Sequence, residues 1–354
     1  MDLDLSTGVG ELTARLVDVP SVSGDEAPLA DAIESVLGSL PHLTLHRDGN
    51  AIVARTELGR TQRVVLAGHI DTVPIADNVP STISGGVLYG CGSADMKAGV
   101  AVQLKLAASV SEPVMDVTYV FYDCEEIVSE RNGLGRLSRH SPDRLAADFA
   151  ILLEPTDGVV EGGCQGTMRA EVAVRGERAH SARSWLGRNA IHDAGAVLEV
   201  LRGYQPRQPV VDGLGYREGL NAVGIAGGVA GNVIPDECVV TVNFRFAPDL
   251  SADAAADYLR DVFGGWDVTI VDEAGGARPG LQHPAAASFV AAMGGTPRAK
   301  LGWTDVARFD ALGIPAVNFG PGDPMLAHTK GEHVLISDIE ACEAKMAAWL
   351  SAAP

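Results

Sequence analysis

Val64-Val65-Leu66-Ala67-Gly68-His69-Ile70-Asp71-Thr72-Val73-Pro74 decides how this chain is read. The apolar run 64–67 has the length and composition of a buried strand. Gly68 ends it, and His69 and Asp71 follow at its exit. Two residues apart on extended backbone, their side chains fall on the same side. A neutral imidazole is a common metal ligand, and a nearby carboxylate can hold its second ring nitrogen. The same residues also suit a plain strand end with a surface histidine and a capping aspartate. Recurrence downstream separates the two readings.

The run 116–124 is a second apolar strand that leads straight into Glu125-Glu126. A third, 148–153, ends in Glu154-Pro155-Thr156. Between the first two lies Tyr89-Gly90-Cys91-Gly92-Ser93-Ala94-Asp95-Met96-Lys97, followed by an Ala-rich helix over about 98–110. Asp95 stands near that helix start, where it can cap the helix or aim a carboxylate at a cation. Helical periodicity also covers 8–18 and 25–39, separated by the turn Pro20-Ser21-Val22-Ser23-Gly24-Asp25-Glu26. Strands alternating with helices give an α/β fold with a mainly parallel central sheet. Ligands of such sheets sit at the carboxyl ends of the strands, where His69, Asp71, Glu125, Glu126 and Glu154 all fall. Five ionisable groups on one sheet edge repel unless cations bridge them. Carboxylates with imidazole suit zinc or a similar divalent ion.

From 166 the pattern changes. Gly166-Thr167-Met168-Arg169-Ala170-Glu171-Val172-Ala173-Val174-Arg175 alternates apolar and polar, as a half-exposed strand does. A helix over 189–204, strands near 220–228 and 238–246, a helix over 251–264 and a strand over 266–273 follow. This β-α-β-β-α-β order is the split-βαβ, ferredoxin-like arrangement. It is expected to form an inserted domain over 166–281, with 1–165 and 282–354 making the other domain. After the insertion, a helix over 284–293 and a strand over 314–320 return to the sheet. The loop that carries His328 follows, and a Ser337/Glu340 capping box opens the last helix.

The 354 residues are 46% hydrophobic and 21% charged, with a formal net charge of −19. That balance argues against nucleic-acid and anionic-membrane partners, which favour basic surfaces. No apolar run has the length of a membrane span. Met1-Asp2-Leu3-Asp4 lacks the basic-then-apolar order of a signal peptide, so the expected location is the cytoplasm. Five scattered cysteines without a Cys-x-x-Cys pair read as buried thiols rather than a disulfide framework or a thiolate zinc site.

Gly68-His69-x-Asp71-Thr72-Val73-Pro74, Asp95-Met96-Lys97, Glu125-Glu126, Glu154-Pro155, Ala179-His180-Ser181 and the late His328 together resemble the co-catalytic zinc amidohydrolases and aminopeptidases. That family includes acetylornithine deacetylase, aminoacylase, glutamate carboxypeptidase and a desuccinylase branch. The resemblance runs in order over nearly the whole chain. It implies a zinc-peptidase-like catalytic domain and an inserted dimerisation or lid domain. It also implies two zinc ions per subunit, with cobalt as a substitute. Asp95 would bridge the ions, His69 and Glu154 would complete one, and Glu126 and His328 the other. Asp71 would orient His69, and Glu125 would act as general base on a water. His180 would stabilise the oxyanion in the partner subunit of a homodimer. Asn232, Arg245, Arg183 and Thr304 would contact a small-molecule substrate.

Longer stretches are most similar to the desuccinylase branch in its actinobacterial form. They include 121–126, 163–167, 179–187, 231–236, 302–309 and 318–324. The resemblance therefore implies hydrolysis of the amide of N-succinyl-LL-2,6-diaminopimelate, a step in lysine and diaminopimelate synthesis. An acetylornithine deacetylase-like deacylase or a small-peptide carboxypeptidase shares the same ligands, and a non-catalytic metal-binding homologue is the remote alternative. Two departures bear on acyl specificity. Cys91 stands where many members have Arg, and Cys164-Gln165-Gly166 replaces an Arg-containing triplet. Arg178, Arg183 or Arg188 could compensate for those lost cations.

Overall fold

The run 64–67 lies inside the strand Arg63–His69, every residue of which is buried from Val64 onward. In the computed structural model, which describes residues 3–352, that strand sits near the middle of an eight-stranded sheet. Its neighbours are Asp116–Tyr122 on one side and Phe149–Leu152 on the other, both parallel to it. Ala316–Asn318 continues the parallel set beyond Phe149–Leu152. The flanking strands Thr44–Asp48, Ala51–Arg55 and Glu161–Gly162 are antiparallel to their neighbours. The centre is thus parallel and the margins are not. The four parallel strands are buried on both faces, which is why they read as unbroken apolar runs rather than alternating ones.

This sheet belongs to a first unit of residues 1–162, 279–298 and 308–354. Its core includes Leu12, Leu16, Val100, Leu104, Leu66, Ile151, Met346 and Leu350. The helix Lys97–Ser109 packs against Val9–Val17, Ile336–Ser351 and the strand Arg63–His69. Gly99 permits that approach, because a Cβ there would collide with the carbonyl of Leu153. The first turn of the helix therefore lies over the strand exit that leads to Glu154.

Two local expectations are corrected. Asp95 does not cap the helix Lys97–Ser109; the cap position is Met96, and no side chain bonds the helix end. The Ser337/Glu340 capping box is absent, since the last helix already begins at Ile336 with Leu335 at its cap. Glu26 occupies the cap position of the helix Ala27–Gly38 but makes no cap bond; its carboxylate turns elsewhere. A small sheet of Thr82–Ser84, Val87–Tyr89 and His333–Leu335 lies outside the elements read from the sequence.

The second unit comprises 163–278 and 299–307. Its elements are Gly166–Arg175, Ala190–Gly203, Gly219–Gly227, Glu237–Phe246, Ala252–Val262 and Asp267–Ala274, in β-α-β-β-α-β order. The four strands form one antiparallel sheet with Gly219–Gly227 at an edge. One face carries Met168, Val172, Val240, Val242 and Phe244 into a core with Ala194, Val197, Ala255 and Leu259 from the helices. The segment 299–307, which the sequence reading leaves with the first domain, groups here. The Trp303 indole donates to the Gly275 carbonyl at 3.1 Å, and the Cys164 thiol lies 3.6 Å from the Thr304 carbonyl. All five cysteines are buried. No helix among the described residues is long and apolar enough to cross a membrane.

Candidate metal centre and active site

The carboxyl ends of the parallel strands deliver the site. His69 ends its strand fully buried, with Nε2 3.2 Å from Asp95 Oδ1. Its Nδ1 lies 3.1 Å from the Asp71 main-chain carbonyl and 3.5 Å from the Asp71 carboxylate. The main chain of Asp71 therefore holds the ring more closely than its side chain does. The carboxylate is engaged across the site instead. It accepts the amides of Glu125 and Glu126, each at 3.0 Å, and the Ser23 hydroxyl at 2.7 Å. Burial works to raise the Asp71 pKa, but bonds to His69, Ser23 and the Glu125 amide hold it below the ordinary value.

Asp95 faces two histidines with its two oxygens. Oδ1 meets His69, and Oδ2 lies 3.5 Å from His328 Nε2, which is 2.8 Å from Glu126 Oε1. Donor atoms of His69, Asp95 and Glu154 all lie within 4.8 Å of one another, as do those of Asp95, Glu126 and His328. Asp95 is common to both sets. His69, Glu125 and Glu126 form a third such group. Despite burial, the bonds from His328 and His69 keep Asp95 ionised far below the usual carboxylate range. Burial opposes protonation of His69, yet Asp71 and Asp95 push its pKa well above the ordinary histidine value. Bonds to Asp95 and Glu126 push His328 up to about 10. A carboxylate with one oxygen toward each of two His/Glu sets is the donor arrangement of a bridged pair of divalent ions, and nitrogen with carboxylate oxygen suits zinc. The residues fit a dinuclear centre.

A neighbouring trio, Glu26, Asp123 and Cys124, also brings its donors within 4.8 Å. Its oxygens are already engaged. Asp123 is bound by Arg136 at 2.9 Å, and Glu26 accepts the Gly24 and Cys124 amides at 2.7 and 3.2 Å. That trio is a hydrogen-bonded framework rather than an ion site. Glu332 is a further buried carboxylate, and no motif in the sequence pointed to it. It accepts the amides of Gly92, Ala94 and Asp95 at 3.0, 2.9 and 3.0 Å and so fixes the turn that presents Asp95. Burial raises its pKa. Lys97 of the Asp-Met-Lys turn is buried and donates to the Val19 carbonyl at 2.8 Å.

In the second unit, His180 is exposed on the short strand Ala179–His180, paired with Val233–Ile234. The Ser181 amide donates to the Asn232 carbonyl at 2.9 Å, so His180 and Asn232 lie side by side. His180 Nδ1 accepts the Ala182 amide at 3.0 Å. The neutral ring consequently carries its proton on Nε2, as a donor. Arg245 lies on the sheet face away from the helices, opposite Thr167 and Gly219. Thr304 is buried. Of the arginines named as substitutes, Arg178 pairs with Asp236 at 2.8 Å and Arg188 with Asp193 at 3.5 Å. Arg183 is exposed in the 3₁₀ turn 181–186, where its non-helical backbone (φ −132°, ψ 48°) kinks the turn.

Known proteins resemble this chain in sequence and in fold. The family model described as Peptidase family M20/M25/M40 matches residues 65–352. The protein named DapE in Mycobacterium tuberculosis is 58% identical over 342 residues, spanning 96% of this chain and 97% of the relative. The succinyl-diaminopimelate desuccinylase of Corynebacterium glutamicum is 46% identical over 360 residues, spanning 99% and 98%. Among solved structures, a tripeptidase from Staphylococcus aureus superposes with a TM-score of 0.80 at 20% identity, covering 99% and 98% of the two chains. A Bacillus subtilis protein described as a dinuclear metal binding peptidase from the M20 family superposes at 0.72 with 16% identity, covering 97% and 96%. The chain belongs to peptidase family M20/M25/M40.

Proposed function

We propose that this chain is a cytoplasmic, homodimeric hydrolase that cleaves the amide of N-succinyl-LL-2,6-diaminopimelate to succinate and LL-2,6-diaminopimelate. The observation that carries the reaction type is Asp95, whose two oxygens face two separate His-and-carboxylate sets. The substrate assignment rests on likeness to the C. glutamicum desuccinylase across nearly the full length of both chains.

His69 and Glu154 with one oxygen of Asp95, and Glu126 and His328 with the other, would hold two zinc ions. When bound, such a pair supplies a water of lowered pKa and a Lewis acid for the scissile carbonyl. The chain's own residues do the rest. The Glu125 carboxylate takes the proton of the attacking water and returns it to the nitrogen of the departing amine. Asp71 fixes where that carboxylate sits, because it binds the Glu125 and Glu126 amides. His180, acting in the active site of the partner subunit, would offer its Nε2 proton to the oxyanion. Arg245 can grip the succinyl carboxylate bidentately, with Asn232, Arg183 and Thr304 as further contacts.

The dimer reading draws support from the second unit. Val223 and Ile225 stand 60% and 55% exposed on the edge strand Gly219–Gly227, beside Ile191 and Leu198 of the neighbouring helix. A long apolar edge of this kind is normally covered.

Steady-state hydrolysis tests the reading, with N-acetylornithine as comparator and protein stripped of metal and reloaded with zinc. Zinc-dependent turnover of the succinyl compound with little of the acetyl one is expected. Preference for the acetyl compound would keep the hydrolase and overturn the substrate.

A further inference from the structure

We infer that Glu26 is a positioning residue for the catalytic base, holding Glu125 in place through the backbone of Cys124. The inference rests on the proposed base role of Glu125. The segment Pro20–Glu26 reads in sequence as a turn before a helix, yet its polar side chains face the strand exits. Val22 forms a parallel bridge with Thr72, in which the Ser23 amide donates to the Thr72 carbonyl at 3.1 Å and the Thr72 amide to Ser21 at 2.9 Å. The Ser21 hydroxyl donates to the Ile70 carbonyl at 2.7 Å. The Ser23 hydroxyl reaches the Asp71 carboxylate, which in turn holds the Glu125 and Glu126 amides. So far the segment grips the His69–Asp71 loop.

Glu26 extends the grip to the second loop. It is fully buried. Its Oε1 accepts the Gly24 amide at 2.7 Å, the Cys124 amide at 3.2 Å and the Cys124 thiol at 3.3 Å; Oε2 accepts from Asn50 at 3.3 Å. Cys124 is the residue immediately before the base, and its φ is +58°. A non-glycine residue in that left-handed region is strained and persists only where its surroundings fix it. The fixing bonds come from one side chain, Glu26. The next two amides are bound by Asp71, so three consecutive amides, 124 to 126, end on two buried carboxylates. Glu26 thus turns the chain sharply after Tyr122 and sets the direction of Glu125, while the Glu126 amide stays on Asp71. Had Glu26 only capped the helix Ala27–Gly38, its carboxylate would bond that helix's amides, and it bonds none.

The test compares Glu26→Ala and the fold-sparing Glu26→Asp with wild type in the zinc-loaded full chain. It reads kcat and KM for the succinyl substrate, bound metal by elemental analysis, and hydrogen exchange of peptides covering 121–128. A displacement near 1 Å can cost about 100-fold, so Glu26→Ala is expected to lower kcat by about 10- to 100-fold. Glu26→Asp, which withdraws the carboxylate by one methylene, is expected to lower it by about 3- to 10-fold. KM stays within about threefold and metal content stays at wild type, because the lost interaction belongs to the transition state. Exchange at 124–126 becomes faster. In a Glu125→Asp background, where the base is already displaced, adding Glu26→Asp changes kcat by less than about twofold, as expected for residues acting as one unit. Unchanged kcat in Glu26→Asp, loss of metal in parallel with activity, or full additivity with Glu125→Asp would overturn the inference. Wild-type kcat in Glu125→Asp and Glu125→Gln would instead remove the base reading on which it stands.

Discussion

Replacing Glu125 by Gln keeps the shape of the side chain and removes its proton affinity. The expected result is a fall in kcat of about 10²- to 10⁴-fold with metal content unchanged, checked by kinetics beside metal analysis. Glu332→Gln turns an amide group toward one of the three backbone N–H donors that the carboxylate now accepts. Metal affinity should fall by about 10- to 100-fold, read by competition with a chelator, although Glu332 touches no metal itself. Asp116 makes a separate point about charge. It accepts from Thr56, Leu58 and Arg60 at 2.8–2.9 Å, and these bonds outweigh burial to hold its pKa below 3.8. A carboxyl with a lowered folded-state pKa stabilises above its unfolded value and loses that contribution as pH falls through the folded one. Asp116→Asn should therefore cost about 1–3 kcal/mol at neutral pH. The gap to wild type should close below pH 4 in urea titrations. His69 and Glu154 were legible because they follow apolar runs, and Asp95 because it stands between a Gly-rich turn and an Ala-rich helix. Glu26 and Glu332 were not, because a buried carboxylate that binds backbone amides has no required sequence spacing.

Among the elements, the strand exits were the clearest signal. Three of the four parallel strands are apolar runs that lead into a His or Glu within a few residues, and those three lie side by side in the sheet. The ferredoxin-like order also survives, since alternating strands and amphipathic helices keep their own periods. What failed was capping. Ser337 and Glu340 have the right spacing, but the helix is capped two residues earlier, at Leu335, directly from the strand His333–Leu335. Three-residue strands such as Val87–Tyr89 are too short to show any period. One contact at this scale can be tested alone. Gly99→Ala sets a methyl against the Leu153 carbonyl, so the helix must lift from the sheet. Overpacking of this kind costs about 1–3 kcal/mol. Chemical denaturation should show that loss, and kcat should fall with it because Glu154 follows Leu153.

For the whole molecule, the remaining proposal is assembly. If the edge strand Gly219–Gly227 pairs with a second copy, Val223→Asp with Ile225→Asp should convert a dimer to a monomer in sedimentation while each unit still folds. A wild-type chain that sediments as a monomer would contradict this. His180 bears on the same question, since a histidine that serves the partner subunit loses its effect when the dimer is broken. The composition could not reveal this, because exposed apolar residues on an edge strand look like core residues until the sheet order is known. The central claim is that two ions bridged by Asp95 drive hydrolysis of the succinyl amide. The most direct measurement is a zinc titration of stripped protein, followed by turnover of N-succinyl-LL-2,6-diaminopimelate at each addition. The account predicts no turnover without metal and full activity only as the second equivalent per subunit binds. Turnover by metal-free protein, or none at two equivalents, would contradict it.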